Sequence, residues 1–308
     1  MGVFENARRG PRTGGDAVRE HIRNVTGSDD AYVFAYRSLE VHARVLAEPV
    51  PHVLYTTFGV SRVASSQPSA GTQTELTMRV PGAPALPQQW PADVLAHAAR
   101  DEIEPGHYLS LDTPRGTLTG FVFVTDPLLG VLDGPTGFIR FTCAVGLAGD
   151  DFERMLSWDP LKFATLISDR VPLSMTSTDR APLSAHPDDR EMLGRVVGAE
   201  GSSIGAMHAR FLDVDATGRV DMDTAAARAV VRAARHRLLH GRTFALLNGD
   251  TWLLFDPHCP TAEFADDHII VPATTAFAHE LLAVFDAAPG VYRLRTAPLE
   301  IRVVDPNT

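Results

Sequence analysis

The spacing of apolar residues changes period repeatedly along this chain, and each change marks an element. Val18, Ile22 and Val25 recur at helical intervals, which predicts a helix over 16–25 with Asp16 as its N-cap. Residues 32–36 and 53–58 are aromatic and β-branched runs that read as strands. A Ser/Gly/Pro-rich loop over 64–73 precedes an alternating strand over 74–80, and a proline-rich loop over 81–89 follows. The helix expected over 90–100 carries Pro91 in its first turn, where the missing N–H costs nothing. Strands are expected over 108–111, 120–125 and 138–145, the last launched by the turn Asp133-Gly134-Pro135-Thr136-Gly137. Asp150 or Asp151 can cap a helix ending at Leu156, further helices are expected over 161–168 and 187–197, and 171–187 reads as loop.

Gly198 to Gly205, with Ser202-Ser203, is the best domain boundary. Beyond it, 207–214 and 219–222 read as two strands around Asp215-Ala216-Thr217-Gly218. Residues 224–240 form the clearest helix, with Val230, Val231, Leu238 and Leu239 toward a core and Arg228, Arg232, Arg235 and Arg237 toward water. Gly241 ends it as a C′ glycine. Strands over 243–247 and 251–256 flank Asn248-Gly249-Asp250, a strong hairpin signal. A helix over 276–285 and closing strands within 292–304 complete the pattern, without internal repeats. The expectation is an α+β protein with two α/β-sandwich-like lobes, their mixed sheets flanked by helices. A flexible lead covers 1–15, the first lobe 16–200 and the second 201–308.

Composition narrows the function classes. With 28 Lys and Arg against 38 Asp and Glu, the 308 residues carry a formal charge of −10, which argues against nucleic-acid binding. An acidic surface suits solubility or a basic partner. Lys162 is the single lysine, and no Gly-Lys-Ser/Thr triplet exists, so a P-loop is excluded. No stretch approaches the roughly 18 apolar residues of a membrane span, and no secretory-type apolar segment is visible. Two cysteines, Cys143 and Cys259, cannot build a disulfide framework, so a cytoplasmic protein is expected.

One ordered set of motifs stands out. Phe58-Gly59-Val60-Ser61 is followed by Glu75-Leu76-Thr77-Met78-Arg79, Trp90-Pro91-Ala92-Asp93-Val94-Leu95 and Gly106-His107. Then come Phe121-Val122-Phe123-Val124, Asp126-Pro127, Val145-Gly146-Leu147, Asp150-Asp151 and Trp158. In the second half, Met207 to Phe211 and Arg237 to Phe244 continue the likeness. This set resembles the suppressor of fused family over nearly the whole chain. The resemblance implies a protein-binding module without enzymatic activity or cofactor. In animals the family clamps a short peptide of a Gli-type zinc-finger transcription factor, which adds as a strand in a cleft between two lobes. The long disordered insert of animal members is absent, and so is the family's acid between Gly and His, because Gly106 is followed directly by His107. An animal Gli-type ligand is therefore not expected. The compact form is similar to bacterial members thought to neutralise toxins, and −10 would suit a basic toxin domain. The cleft lining expected from the resemblance includes Asp101, His107, Tyr108, Asp221 and Asp223.

Rival chemistry is readable at two places. Asp213, Asp215 and Asp221 imitate a calcium loop, but Thr224 stands where the bidentate Glu belongs, and a polar hairpin turn is the better reading. Asp256, His258, Cys259, Glu263, Asp266, Asp267 and His268 gather ligand types that could serve zinc in a metal-dependent hydrolase. Paired zinc spacings are missing, and a solvated loop is expected. Cys143 reads as buried strand packing, and His240 as a helix-end residue. Glu75 and Arg79 face one side of a strand and read as structural ion-pair partners. A scaffold without inhibitory role is the remaining alternative to a partner-sequestering protein.

Overall fold

The computed structural model describes residues 13–305, so positions 1–12 of the expected lead lie outside the described residues. Helix α1 (Thr13–Thr26) begins before the expected Asp16, which sits in its first turn, 3.9 Å from Arg19, and is not the cap. The glycines that suggested a flexible lead instead permit close docking. A Cβ on Gly14 would lie 2.6 Å from the Arg62 carbonyl oxygen, and one on Gly15 would lie 2.7 Å from the Phe58 ring.

The chain divides into two compact units, 1–152 with 160–183 and 153–159 with 184–308. The first is built on a sheet of β1 (Tyr32–Ala35), β2 (Glu40–Leu46), β3 (His52–Phe58), β4 (Thr72–Pro81), β5 (Tyr108–Arg115), β6 (Leu118–Thr125), β7 (Val131–Gly134) and β8 (Gly137–Ala148). Strand order is β1-β2-β3-β4-β8-β6-β5, with β7 on the β8 hairpin, and only β4–β8 is parallel. Helix α2 (Trp90–Ala98) covers one face by packing Ala92 and Leu95 against Tyr55, Met78 and Phe121. Helix α1 covers part of the other, with Val18 and Ile22 against Leu54, Ile139 and Phe141. Burying each such side chain is worth about 1.5–3 kcal/mol. Strands β2 and β7 were not expected. In β2 the apolar Val41 and Ala43 alternate with His42 and Arg44, which are themselves buried, so the polar half hid the period. Helices α3 (Asp151–Leu156) and α4 (Pro160–Ser168) follow.

The second unit holds α5 (Pro187–Glu200), β9 (Ala206–His208), β10 (Leu212–Val214), β11 (Arg219–Asp223), α6 (Thr224–His236), β12 (Phe244–Asn248) and β13 (Thr251–Asp256). It ends with β14 (Glu263–Phe264), β15 (His268–Pro272), α7 (Thr275–Val284), β16 (Gly290–Arg293) and β17 (Glu300–Val304). The strands form two mixed sheets, β10-β11-β17-β16 and β14-β15-β13-β12-β9. Leu246, Leu253, Phe255, Ile269 and Val271 meet the alanine face of α6 and Phe277 and Leu281 of α7.

Several expectations shift here for local reasons. Residues 207–214 are not one strand: β9 and β10 belong to different sheets, and the Ala209 N–H bonds the Leu247 carbonyl before the chain crosses over. Helix α5 continues through Gly198 to Glu200, and Gly201, at φ 64°, ends it. The segment 153–159 joins this unit because the Trp158 indole donates to Glu200 at 2.7 Å and the Ser202 hydroxyl donates to the Leu156 carbonyl at 2.7 Å. Helix α6 stops at His236, and a 3-10 turn over Leu238–His240 precedes Gly241, which is left-handed at φ 66°. Arg237 does not face water: it is buried and donates to the carbonyls of Thr243 and Ser202, both at 2.7 Å. The expected loop over 256–268 contains β14 and leads into β15, which pairs in parallel with β13.

Candidate protein-binding site

The first unit's sheet is organised around polar groups that water does not reach. The β3–β4 ladder ends at Thr56 opposite Thr77. Past that point Thr57 and Glu75 replace the missing backbone pairing. The Thr57 hydroxyl accepts the Leu76 N–H at 2.7 Å and donates to Glu75 at 2.5 Å. The other Glu75 oxygen accepts the N–H groups of Gly59 at 3.1 Å and Ser61 at 2.9 Å, and the Ser61 hydroxyl at 2.5 Å. One buried carboxylate thereby fixes the start of the β3–β4 loop. Four residues on, Arg79 forks onto Asp126 at 2.7 and 2.9 Å. The Thr77 hydroxyl and the N–H groups of Leu128 and Leu129 complete the shell of Asp126. Burial opposes ionisation of Asp126, but Arg79 and these donors outweigh it and hold the carboxyl below its usual range. Cys143, fully buried nearby, has its thiol pushed up to about 11 by burial, so it is not a nucleophile. These residues shape a scaffold and face no substrate.

The scaffold leaves β5 as a free edge. It pairs only with β6, and its pairing breaks between Ser110 and Arg115. The His107 carbonyl accepts the Phe123 N–H at 2.9 Å. By the alternation of an antiparallel ladder, Leu109 then faces β6 and the Ser110 N–H points away from the sheet. Ser110, Asp112, Thr113 and Pro114 are exposed. Pro114 and the irregular pairing guard the far half of the strand against indiscriminate pairing, leaving residues 108–112 as the usable edge.

The five expected lining residues fare differently. Asp101 is exposed just past α2, and its N–H bonds the Ala98 carbonyl. His107 is exposed in the turn entering β5, where its Nδ1 accepts the Glu104 N–H at 3.3 Å. Tyr108 opens β5 half-buried, edge-on to Phe152 at 5.9 Å. In the second unit, Asp221 is buried beneath Arg219, at 2.6 Å, and Arg302, and they keep its pKa low against the opposing effect of burial. Asp223 caps α6 through the N–H groups of Ala225 and Ala226, and its other oxygen accepts from Phe211. Both carboxylates are thus engaged by the unit's own backbone or arginines. Ser110 was missed because an edge is a property of the sheet and leaves no mark on the residue.

The metal alternatives find no geometry. Asp215 closes its hairpin by accepting the N–H groups of Thr217 and Arg219, while Asp213 is exposed opposite Asp221. The Cys259 thiol donates to the Thr261 carbonyl, the His258 N–H donates to Asp256, and His268 stacks on Trp252 at 4.5 Å between Asp267 and Glu263. Among the described residues no group of three or more His, Cys, Asp or Glu is arranged to hold a metal ion. Nor is any described helix long and apolar enough to cross a membrane.

A family model described as Suppressor of fused protein (SUFU) matches residues 36–181, the segment containing the Glu75 and Arg79 networks and β5. This segment belongs to the suppressor of fused family. The crystal structure of Drosophila Suppressor of Fused extends the likeness in fold, with a TM-score of 0.68 at 16% identity over 96% of this chain and 98% of that one. A chain of the Sufu–Fu complex matches with a TM-score of 0.52 at 19% identity, covering 60% of this chain and 98% of its own. A suppressor of fused homolog from Neisseria gonorrhoeae aligns at a TM-score of 0.41 and 12% identity over 55% of this chain and 96% of that one. Comparison with curated proteins finds no match. The suppressor of fused fold therefore accounts for both units, and Glu75, Arg79 and Asp126 of the motifs are its internal framework.

Proposed function

We propose that this protein is a non-catalytic binding module that holds a segment of a partner protein as an added strand on β5. The observation that carries the reading is the free edge over 108–112, ended by Pro114 and presented by a sheet whose buried groups are spent on architecture. Family membership supports it, as does a solved complex of Sufu with Fu, a protein partner. Strand addition supplies affinity through main-chain bonds, and side chains flanking the edge, such as Tyr108 and His107, supply selectivity. Within this reading the net charge of −10 favours a basic partner, such as a toxin domain that the protein neutralises stoichiometrically.

The test begins with partner capture from the native host and identification of the neighbouring gene. Titration of the purified partner in a calorimeter should then give saturable binding, with both proteins chemically unchanged by mass spectrometry. Ser110→Pro removes an outward N–H without taking a bond from the β5–β6 ladder, and should weaken binding by about tenfold or more while circular dichroism is unchanged. Undiminished affinity in a folded S110P protein, or a covalent change in the partner, would refute the proposal.

A further inference from the structure

The most prominent cavity described is not at β5. It is an open groove of about 710 Å³ between the β1–β2 turn and the β3–β4 loop of the first unit. Its size falls in the range of ligand sites. Leu39, Phe58 and Val63 supply apolar floor, and Arg37 and Arg62 stand exposed on the two opposing segments. Neither guanidinium has an ion-pair partner among the described residues, whereas Arg79, Arg180, Arg219, Arg232, Arg293 and Arg302 are all paired. A third guanidinium, of Arg19, lies 4.4 Å over the Phe58 ring. Glu40 is the only carboxylate lining the groove, and it is turned to His42 at 2.9 Å. In a chain with ten more acids than bases, this is a local concentration of uncommitted positive charge.

The loop that carries Arg62 is also unusually fixed. Glu75 accepts from Gly59 and Ser61 at its root, the Arg62 N–H donates to Gln73 at 2.8 Å, and the N–H groups of Gly14 and Gly15 bond the carbonyls of Ser65 and Val63. Holding a loop with a fully buried carboxylate is a costly device, and here it presets the distance between two arginine-bearing walls.

We propose that this groove binds an acidic segment of a protein partner, its carboxylates meeting Arg37 and Arg62 and an apolar side chain resting on the floor. Charge complementarity selects that occupant over a basic segment. The site is separate from the β5 edge and does not depend on it.

The test uses a fluorescein-labelled decapeptide of eight glutamates and two leucines, with the lysine-and-leucine counterpart as control, read by fluorescence anisotropy on the full chain. The acidic peptide should bind at about 50 mM salt and lose most of its affinity at about 500 mM. Arg37→Glu with Arg62→Glu should lower affinity at least about tenfold, since both side chains are exposed and the fold does not need them. Should that double variant misfold, R37Q with R62Q gives the same reading. S110P should leave peptide binding unchanged, which separates this site from the β5 edge. Absence of binding by the wild-type protein at low salt, preference for the lysine peptide, or equal binding by the arginine variants would overturn the proposal.

Discussion

The two units fill their interiors in opposite ways. The second is apolar throughout, with the alanine face of α6 allowing close approach to Leu253, Phe255 and Phe277. The first places Glu75, Arg79 and Asp126 at 0%, 0% and 1% exposure within one sheet. It also holds every buried side-chain polar atom that lacks a partner among the described residues, on Arg44, His52, Thr56, Arg79, Thr136 and Thr142. An apolar core stabilises by area and tolerates rearrangement, whereas a desolvated ion pair stabilises little but penalises every arrangement except the one that satisfies it. The contrast suggests that the first unit trades stability for a fixed loop and a fixed edge, the features a partner would read.

The largest expected effect breaks that pair. Arg79→Leu leaves Asp126 buried without its counter-charge and should cost about 3–5 kcal/mol in urea unfolding, while R79L with D126L together should cost clearly less. A double variant as unstable as the single one would mean that the pair is not what organises this sheet. In the other unit, Leu253→Ala removes only apolar contact and should cost about 2–5 kcal/mol, with no rescue from a second truncation nearby.

A smaller effect is set by pH. Burial, then nearby positive charge from Arg235, His240 and Arg232, lowers the His236 pKa to about 4. Because the folded value is depressed, the stabilisation from neutral His236 is complete above the unfolded value near 6.5 and is lost as pH falls toward about 4. Allowing for partial solvent screening, wild type should lose on the order of 1–2 kcal/mol more than His236→Gln over that window. Parallel pH profiles would show that His236 carries no such linkage. Smallest of all, His268→Gln should leave the urea midpoint at neutral pH unchanged, because the contacts of His268 with Asp267 and Glu263 lie in solvent.

Much of this was legible in the sequence where chemistry is local. The Asn248-Gly249-Asp250 hairpin, the alanine-rich helix and the two-residue alternation of β4 each follow from neighbours in the chain. What was illegible depends on pairing at a distance. His42 and Arg44 concealed β2 because their burial is decided by α1 and the adjoining strands, and 207–214 concealed a crossover between sheets because both halves carry apolar residues. Glu75 and Arg79 were readable as structural partners, but Asp126, forty-seven residues from Arg79, was not readable as the acceptor. The same holds for function: Tyr108 can be named from a motif, while the free edge it belongs to exists only once β6 has been placed between β5 and β8.

The central claim is that β5 receives another polypeptide and alters no bond in it. Hydrogen exchange of the amides over 108–112, measured with and without saturating partner, tests it most directly. Strong slowing at Ser110 and its neighbours on the open side of β5, with β6 and β8 unchanged, is the predicted result. Saturated binding with the Ser110 amide still exchanging at its free rate would contradict the account.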